Sequence, residues 1–277
     1  MRIGIQGEIG SFSEEAAVRL FGQKIDLSCF RTFDEVFVAA ETGRVDGAVV
    51  PLENSLTGSI HRNYDLLLRH RLRIRGELYL PIRHNLIALP GVDLADVKVV
   101  ISHPVALGQC EKFLAEHPEW EVRPTYDTSG SVKELVEGAL RDHAAIASHR
   151  AAECFGAEVL VAGIEDSEHN FTRFVYLSPG EVGTSGDKTS VVFSLRNVPG
   201  ALFKCLSAFA LREIDLTKIE SRPLPGRPWE YLFYVDFLGN PNEDRVGKAL
   251  AHLREFADWC EVLGCYPRDR RMNERRF

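Results

Sequence analysis

Hydrophobic and polar positions along the first 70 residues follow two alternating patterns. Short apolar runs have the length of buried strands, and between them apolar residues recur at helical spacing, as at Phe33, Val36 and Phe37. The predicted helices begin at residues that cap well, such as Ser13 for the first and either Thr32 or Asp34 for the second. This alternation is typical of an α/β fold with an open parallel sheet. The predicted strands span residues 2–6, 25–30 and 47–51, and the predicted helices span residues 13–22, 32–42 and 59–70.

A second set of strands and helices follows two extended stretches in residues 72–89, which Pro81 interrupts. We expect two lobes, one of residues 1–77 with 163–180 and one of residues 78–162. Ligands bind at the carboxyl ends of the strands in such sheets, so we expect a substrate between the lobes. The second set comprises predicted strands at residues 98–101, 121–125, 144–147 and 159–162 and predicted helices at residues 104–116, 129–141 and 149–155.

The pattern changes after residues 178–187, whose glycine, proline and serine content is typical of a linker. Residues 187–267 then show the order strand–helix–strand–strand–helix–strand, which predicts a ferredoxin-like βαββαβ module. We expect the basic tail at residues 268–277 to be frayed. The module has predicted strands at residues 188–195, 216–222, 231–238 and 259–264 and predicted helices at residues 200–212 and 242–256.

Composition and charge exclude several classes of protein. The formal net charge of −7 argues against a general nucleic-acid binder, because such proteins present a basic surface. No apolar run approaches the length of a membrane span, and no signal peptide precedes the first strand. The six cysteines lack metal-ligand spacing and fit the small apolar residues of a reducing compartment. We therefore expect a cytoplasmic protein without a metal site.

The loop after the first strand, residues 7–13, contains Gly7 and Gly10 before a predicted helix. Glycines there let backbone N–H groups approach an anion, and a helix N-terminus adds partial positive charge. The alternative is a tight turn with Ser13 as the helix cap. The loop is not a dinucleotide-binding fingerprint, because the third glycine is missing and Glu14 and Glu15 stand where phosphate would approach.

The loop at residues 51–59 collects more polar groups than helix capping needs, including Glu53, Asn54, Ser55 and Thr57. This density favours a functional site. Three further polar segments, at residues 83–85, 102–110 and 126–131, lie near strand ends or the predicted hinge between lobes. Because these loops leave the sheets at comparable positions, we expect them to converge.

Within the segment 102–110, Ser102 is a candidate N-cap and Gln109 lies on the first turns of the next predicted helix. The Gln109 side chain faces either the cleft or solvent. His103 is either an acid–base group or a structural residue beside the cap.

Residues 170–174 place the hydroxyl of Thr172 next to the guanidinium of Arg173 at the start of an apolar run. These two groups donate hydrogen bonds and together suit an anion. The alternative is an ordinary strand start with Arg173 in solvent.

Taken together, these motifs resemble the prephenate dehydratase family, and the likeness extends in one consistent order to about Tyr266. The sequence departs from the family's pattern at two places. In the turn at residues 7–11 the family commonly has a proline and a threonine, and at Val105 it usually has a glutamine. The segments that carry the resemblance are residues 10–17, 51–59, 102–110 and 170–174. In the C-terminal module, Gly200, Ala201, Leu202, Glu220, Ser221, Arg222 and Pro223 are similar to the phenylalanine-binding motifs of the family's ACT domain.

The resemblance implies a two-lobed, periplasmic-binding-protein-like catalytic domain over residues 1–180 and an ACT regulatory domain over residues 187–267. It implies decarboxylating dehydration of prephenate to phenylpyruvate, without a cofactor or metal. Thr172 would be the catalytic hydroxyl, and substrate would be bound by Asn54, Ser55, Ser102, Gln109 and Arg173. Phenylalanine would inhibit a homodimer or tetramer by binding to the ACT domain.

Two other functions remain open from the sequence. One is an arogenate dehydratase, whose substrate carries an amino group in place of the keto oxygen of prephenate. The other is a non-catalytic binding protein that senses an amino acid. For the C-terminal module, the alternative to an effector site is passive dimerisation.

Overall fold

The computed structural model of the chain describes residues 1–195, 198–224, 226–227 and 229–271. The chain divides into two compact units, one formed by Met1–Leu66 and Leu78–Phe174 and the other by Leu67–Glu77 and the chain from Val175 onward. The predicted linker at residues 178–187 therefore lies inside the second unit. No helix in the described ranges is long and apolar enough to span a membrane.

The first sheet contains the parallel strands that the N-terminal pattern predicts. β1 (Arg2–Gln6) pairs in parallel with β2 (Asp26–Phe30) and β3 (Gly47–Asn54), and the short β4 (Gly58–Ser59) pairs with the end of β3. The strand order is β2-β1-β3-β11-β5, where β5 is Leu72–Pro81 and β11 is Phe171–Pro179. The helices of this part are α1 (Phe12–Phe21), α2 (Phe33–Glu41) and α3 (His61–Arg69).

The second sheet has the order β10-β6-β9-β7-β8. β7 is parallel to β8 and β9, and β6 is antiparallel to β9 and β10. Apolar side chains from both faces of this sheet form two buried clusters. The strands are β6 (Asn85–Ala88), β7 (Val99–Ser102), β8 (Glu121–Pro124), β9 (His143–Ala147) and β10 (Glu158–Ala162), and the helices are α4 (Pro104–Gly108), α5 (Glu111–Ala115), α6 (Thr128–Glu137) and α7 (His149–Phe155), with a 3₁₀ turn at Leu94–Asp96. The predicted α/β class is confirmed.

Helix caps differ from the predictions at two places. Ser11, not Ser13, caps α1, since its Oγ accepts the N–H of Glu14 at 3.3 Å. Ser102 ends β7 instead of capping α4, because its hydroxyl donates to the carbonyl of Ile146 at 2.6 Å. His103 is the N-cap of α4, and its Nδ1 accepts the N–H of Val105 at 3.2 Å.

The single helix predicted at residues 104–116 is two short helices, α4 and α5. The carbonyl of Gln109 accepts the N–H of Asp166 at 2.7 Å, and the Asp166 carboxylate accepts the N–H of Lys112 at 3.0 Å. Backbone groups that would continue one helix bond instead to a segment more than fifty residues away. The helical periodicity of residues 104–116 does not reveal this interruption.

The second unit contains the predicted βαββαβ order. Its antiparallel sheet has the order β13-β14-β12-β15, and both helices pack on one face around Val191, Phe193, Phe209 and Val235. The last strand is longer than predicted because it pairs along the whole of β12. The elements are β12 (Lys188–Leu195), α8 (Ala201–Ala210), β13 (Leu216–Pro223), β14 (Tyr231–Leu238), α9 (Asp244–Phe256) and β15 (Ala257–Tyr266).

A buried ion pair joins β12 to β5 inside this unit. The Nζ of Lys188 lies 2.8 and 3.1 Å from the two carboxylate oxygens of Glu77, and the side chains are 4% and 1% exposed. The start of the predicted tail is bound to the same region. The N–H groups of Arg268 and Asp269 donate to Asp187 and Glu77 at 2.9 and 3.2 Å, so this part is not frayed. Residues 272–277 lie outside the described residues.

Candidate active site

A cavity of about 610 Å³ lies in the first unit, where strands of both sheets end. Gln6, Arg31 and Asn54 line it at or just beyond the carboxyl ends of β1, β2 and β3. His103 and Tyr126 follow β7 and β8 in the other sheet and line it from there. Parallel strands within each sheet bring their carboxyl ends to one edge, which explains this convergence.

Asn54, the last residue of β3, organises one wall of the cavity. Its two Nδ2 protons are shared among Oδ1 of Asn170, the carbonyl of Phe171 and Oγ1 of Thr172, which lie 2.7, 3.1 and 3.0 Å from Nδ2. Its Oδ1 accepts the N–H groups of Leu56 and Thr57, each at 3.0 Å. The side chain is 8% exposed, so these bonds hold it in one orientation.

The hydroxyl of Thr172 lies at the cavity wall, and its oxygen already accepts one hydrogen bond. Thr172 lines the cavity and is 8% exposed, and its oxygen accepts from Asn54. An amide N–H can only donate, so the hydroxyl proton is directed elsewhere. The result is a threonine whose proton is available to a group in the cavity.

Arg173 lies on the opposite face of β11 from Thr172 and Phe174, because side chains alternate along a strand. Thr172 and Phe174 line the cavity, whereas the Arg173 side chain is 1% exposed and its Nη1 lies 3.4 Å from Oε1 of Glu53. The structure does not bring Arg173 to the cavity wall, where the sequence predicted a substrate contact.

Ser55 and Ser102 also lie away from the cavity wall. Ser55 is exposed, donates to the carbonyl of His169 at 2.7 Å and accepts the N–H of Phe171 at 2.9 Å. Ser102 is fully buried against Ile146. Both serines shape the walls: Ser55 joins the loop after β3 to the start of β11, and Ser102 joins β7 to β9. Neither serine is among the residues that line the cavity.

Gln109 faces the cavity, which decides between the two orientations that the sequence left open. The side chain is 9% exposed, and its Oε1 lies 2.8 Å from Nε2 of His84. Since an amide oxygen can only accept, His84 carries its proton on Nε2. Burial lowers the pKa of His84, which favours the neutral ring. The rings of Phe12 and His84 form a T-shaped pair, with centroids 5.6 Å apart.

Two arginines on the cavity wall were not singled out from the sequence. Arg31 follows β2 directly, and no carboxylate in the described ranges pairs with its guanidinium. Arg62, at the start of α3, donates through Nε to Asp34 at 2.9 Å. The rule that ligands bind beyond strand ends would have found Arg31. Arg62 lies inside a helix, and nothing in the local pattern indicates it.

The glycine loop at residues 7–10 packs against the second sheet's helices. The carbonyls of Ile9 and Gly10 accept from Ser129 and Ser148 at 2.5 and 2.6 Å, and the N–H of Gly10 donates to the Glu14 carboxylate. Gly10 has φ of +83°, and a Cβ there would lie 2.7 Å from Cα of Ala151. This close packing leaves no room for the predicted anion at these glycines.

The sequence of the chain matches the prephenate dehydratase family over residues 3–181. The chain belongs to that family. Arogenate dehydratase/prephenate dehydratase 2, chloroplastic, of Arabidopsis thaliana is 46% identical over 285 residues, which cover 98% of this chain and 74% of the relative. The resemblance to the prephenate dehydratase family is thus confirmed.

Solved structures agree with this membership of the prephenate dehydratase family. Prephenate dehydratase of Arthrobacter aurescens in complex with L-Phe superposes with a TM-score of 0.88 at 33% identity, covering 97% of this chain and 90% of that one. A structure described as GqqA, a novel type of quorum quenching acylase, superposes with a TM-score of 0.88 at 31% identity, covering 97% and 98%.

The residues that resemble the family's phenylalanine-binding motifs lie on two elements of the second unit. Gly200 is the N-cap of α8 with φ of +79°, and Ala201 and Leu202 begin that helix. Pro223 ends β13, an edge strand of the sheet, whose residues alternate between half-buried and exposed. The half-buried positions of this stretch are Glu220 and Arg222, and the exposed ones are Ser221 and Pro223. Among the described residues, no three potential ligands lie together as a metal site.

Proposed function

We propose that this protein converts prephenate into phenylpyruvate, CO2 and water, a step of L-phenylalanine biosynthesis. Family membership supports the reaction, and one observation supports its location. The Thr172 hydroxyl stands at the cavity wall, held by Asn54 with its proton free.

The reaction couples two departures from one ring. The ring carboxylate leaves as CO2, its bonding electrons make the ring aromatic, and the ring hydroxyl departs from the opposite carbon and takes up a proton to become water. In our proposal Thr172 donates its hydrogen bond to that departing oxygen. Threonine is a weak acid, so it acts by stabilising the developing charge or by relaying a proton, while aromatisation drives the reaction.

The rest of the cavity supplies groups that position the substrate. Gln109 lines it with an amide that His84 holds in place. Asn54 also lines it, and its amide bonds to the loop after β3 and to Thr172, so that it acts through Thr172. Arg31 and Arg62 are cationic groups on the wall, and we propose that they bind the two substrate carboxylates in place of Arg173. Arginine suits carboxylates because its N–H groups form paired hydrogen bonds.

The test is to incubate purified protein with prephenate and to measure phenylpyruvate and CO2 together. We expect equal amounts of both products, at a rate well above that of buffer alone. Absence of phenylpyruvate from a folded preparation would refute the proposed reaction and favour a non-catalytic binding protein.

We further propose that residues 1–180 form the catalytic domain and residues 187–267 an ACT domain that binds L-phenylalanine. The complex of the Arthrobacter aurescens relative with L-Phe supports a phenylalanine site in this protein. The residues proposed to bind it are Gly200, Ala201, Leu202, Glu220, Ser221, Arg222 and Pro223. An effector inhibits when it binds the less active of two states more tightly.

Calorimetric titration tests this regulation. L-phenylalanine is expected to bind the purified protein with a measurable heat and to lower turnover of prephenate over the same concentration range. A titration without heat, combined with turnover that phenylalanine does not change, would leave the module as a passive dimerisation domain.

A homodimer or tetramer in the cytoplasm completes the proposal. All six cysteines are free, and burial raises the pKa of Cys205 to about 11, which keeps this thiol protonated. Free thiols fit a reducing compartment.

A further inference from the structure

We propose that His84 is a positioning residue for this reaction: its Nε2–H holds the side-chain oxygen of Gln109, so that the Gln109 NH2 group donates a hydrogen bond to the substrate. This inference rests on the proposed function, because it concerns how the same cavity binds prephenate. The sequence indicated residues 83–85 only as a polar segment near the predicted hinge. The structure places His84 among the residues that line the cavity.

His84 and Gln109 are held side by side in the cavity wall. The two residues are 2% and 9% exposed, and Nε2 of His84 lies 2.8 Å from Oε1 of Gln109. The N–H groups of Ile164 and Asp166 donate to the carbonyls of His84 and Gln109 at 3.0 and 2.7 Å. The Glu165 carboxylate accepts the N–H of His84 at 2.9 Å. Three consecutive residues thus hold both backbones at a fixed separation.

The other ring nitrogen of His84 decides which group donates in this contact. Either the imidazole donates from Nε2 to the Gln109 oxygen, or the Gln109 NH2 group donates to Nε2 and the ring carries its proton on Nδ1. Nδ1 is buried and has no hydrogen-bond partner. A proton there would be a buried donor without an acceptor, which is rarer than a buried acceptor without a donor. Burial also lowers the pKa of His84, which favours a neutral ring with one proton, on Nε2.

This arrangement fixes what Gln109 presents to the substrate. Prephenate offers two carboxylates and a keto oxygen, all of which accept hydrogen bonds. The Gln109 NH2 group makes no hydrogen bond to the described part of the chain and is not enclosed by protein, so it opens onto the cavity. Without the bond from His84 the amide is free to turn end for end, and its oxygen would then repel a carboxylate.

The experiment measures kcat and KM for prephenate in His84→Phe, which keeps a ring beside Phe12 and removes the donor. We expect KM to rise about two- to tenfold with kcat nearly unchanged, because ordering one flexible side chain becomes a cost of substrate binding. His84→Gln places an N–H as many bonds from the backbone as Nε2 of histidine, and it is expected to recover most of the loss.

A second background separates positioning of Gln109 from a general structural role. Gln109→Met keeps the length of the side chain and removes its amide, so adding His84→Phe to it should raise KM no further. An equal rise of KM in both backgrounds would overturn the inference. His143→Phe is the matched control, since His143 begins β9, bonds to Asp142 at 2.7 Å and does not line the cavity. Its KM is expected to match that of the wild type.

Nitrogen-15 NMR of histidine-labelled protein tests the geometry without turnover. The ring signals of His84, identified by their loss in His84→Gln, are expected to show a protonated Nε2 and a bare Nδ1. A proton on Nδ1 would overturn the inference, and so would a wild-type KM in folded His84→Phe while the wild type is active. Wild-type protein that does not turn over prephenate would refute the proposed function and this inference with it.

Discussion

Replacing Thr172 with alanine is expected to lower kcat for prephenate by about 100- to 10,000-fold, the range for loss of a positioned acid–base group. The KM should change little, because the hydroxyl acts mainly when the ring oxygen departs and gathers charge. The physical basis is the bond from Asn54 to Oγ1 at 3.0 Å, which leaves the hydroxyl proton for the departing oxygen.

Two variants make this test specific. Thr172→Ser keeps the hydroxyl and is expected to recover much of the lost kcat. Thr128→Ala removes a different threonine side chain from the same cavity wall, and it is expected to retain kcat within a few-fold. If Thr172→Ala turned over prephenate at nearly the wild-type rate, the catalytic assignment of this hydroxyl would fail.

Replacing Lys188 with methionine is expected to lower the free energy of unfolding by about 3–5 kcal/mol, the cost of leaving one member of a buried ion pair without its partner. Glu77 is 1% exposed in its side chain and lies 2.8 Å from the Lys188 Nζ. Methionine fills a similar volume, so the loss measures the removal of the ammonium group from beside the Glu77 carboxylate and not a cavity. Urea denaturation at one fixed protein concentration gives the value.

The double variant Lys188→Met with Glu77→Gln should recover part of this loss, because the side chain at position 77 then carries no charge. Lys248→Met is the surface control: its pair with Asp244 has side chains 65% and 80% exposed, and its removal is expected to change stability by less than about 0.5 kcal/mol. Equal losses in Lys188→Met and Lys248→Met would contradict the importance assigned to the buried pair.

Local patterns predicted most of the secondary structure because the residues of each element include its cap or its own apolar spacing. Thr32, with its capping box, begins α2 as expected, and the apolar run that ends at Asn54 is a buried strand. Asn54, Gln109 and Thr172 reach the cavity wall, Asn54 from the carboxyl end of β3, where ligands bind in parallel sheets, and Thr172 from the start of β11.

Some side chains that were expected at the cavity lie elsewhere, because local sequence does not show which face of an element points to the cavity. Thr172 and Arg173 are adjacent, and alternation along β11 sends one to the cavity and the other towards Glu53. Likewise, the break between α4 and α5 depends on Asp166, far along the chain. Arg62 reaches the wall only because α3 packs where it does.

The central claim is that Asn54 and Thr172 act as one unit on the departing hydroxyl. A double-mutant cycle on kcat for prephenate, with Asn54→Ala, Thr172→Ala and the combined variant, tests it most directly. If Asn54 works by directing the Thr172 proton, the combined variant should lose about as much kcat as Thr172→Ala alone. If the fold-loss of kcat in the combined variant equalled the product of the two single losses, the residues would contribute independently and the claim would be contradicted.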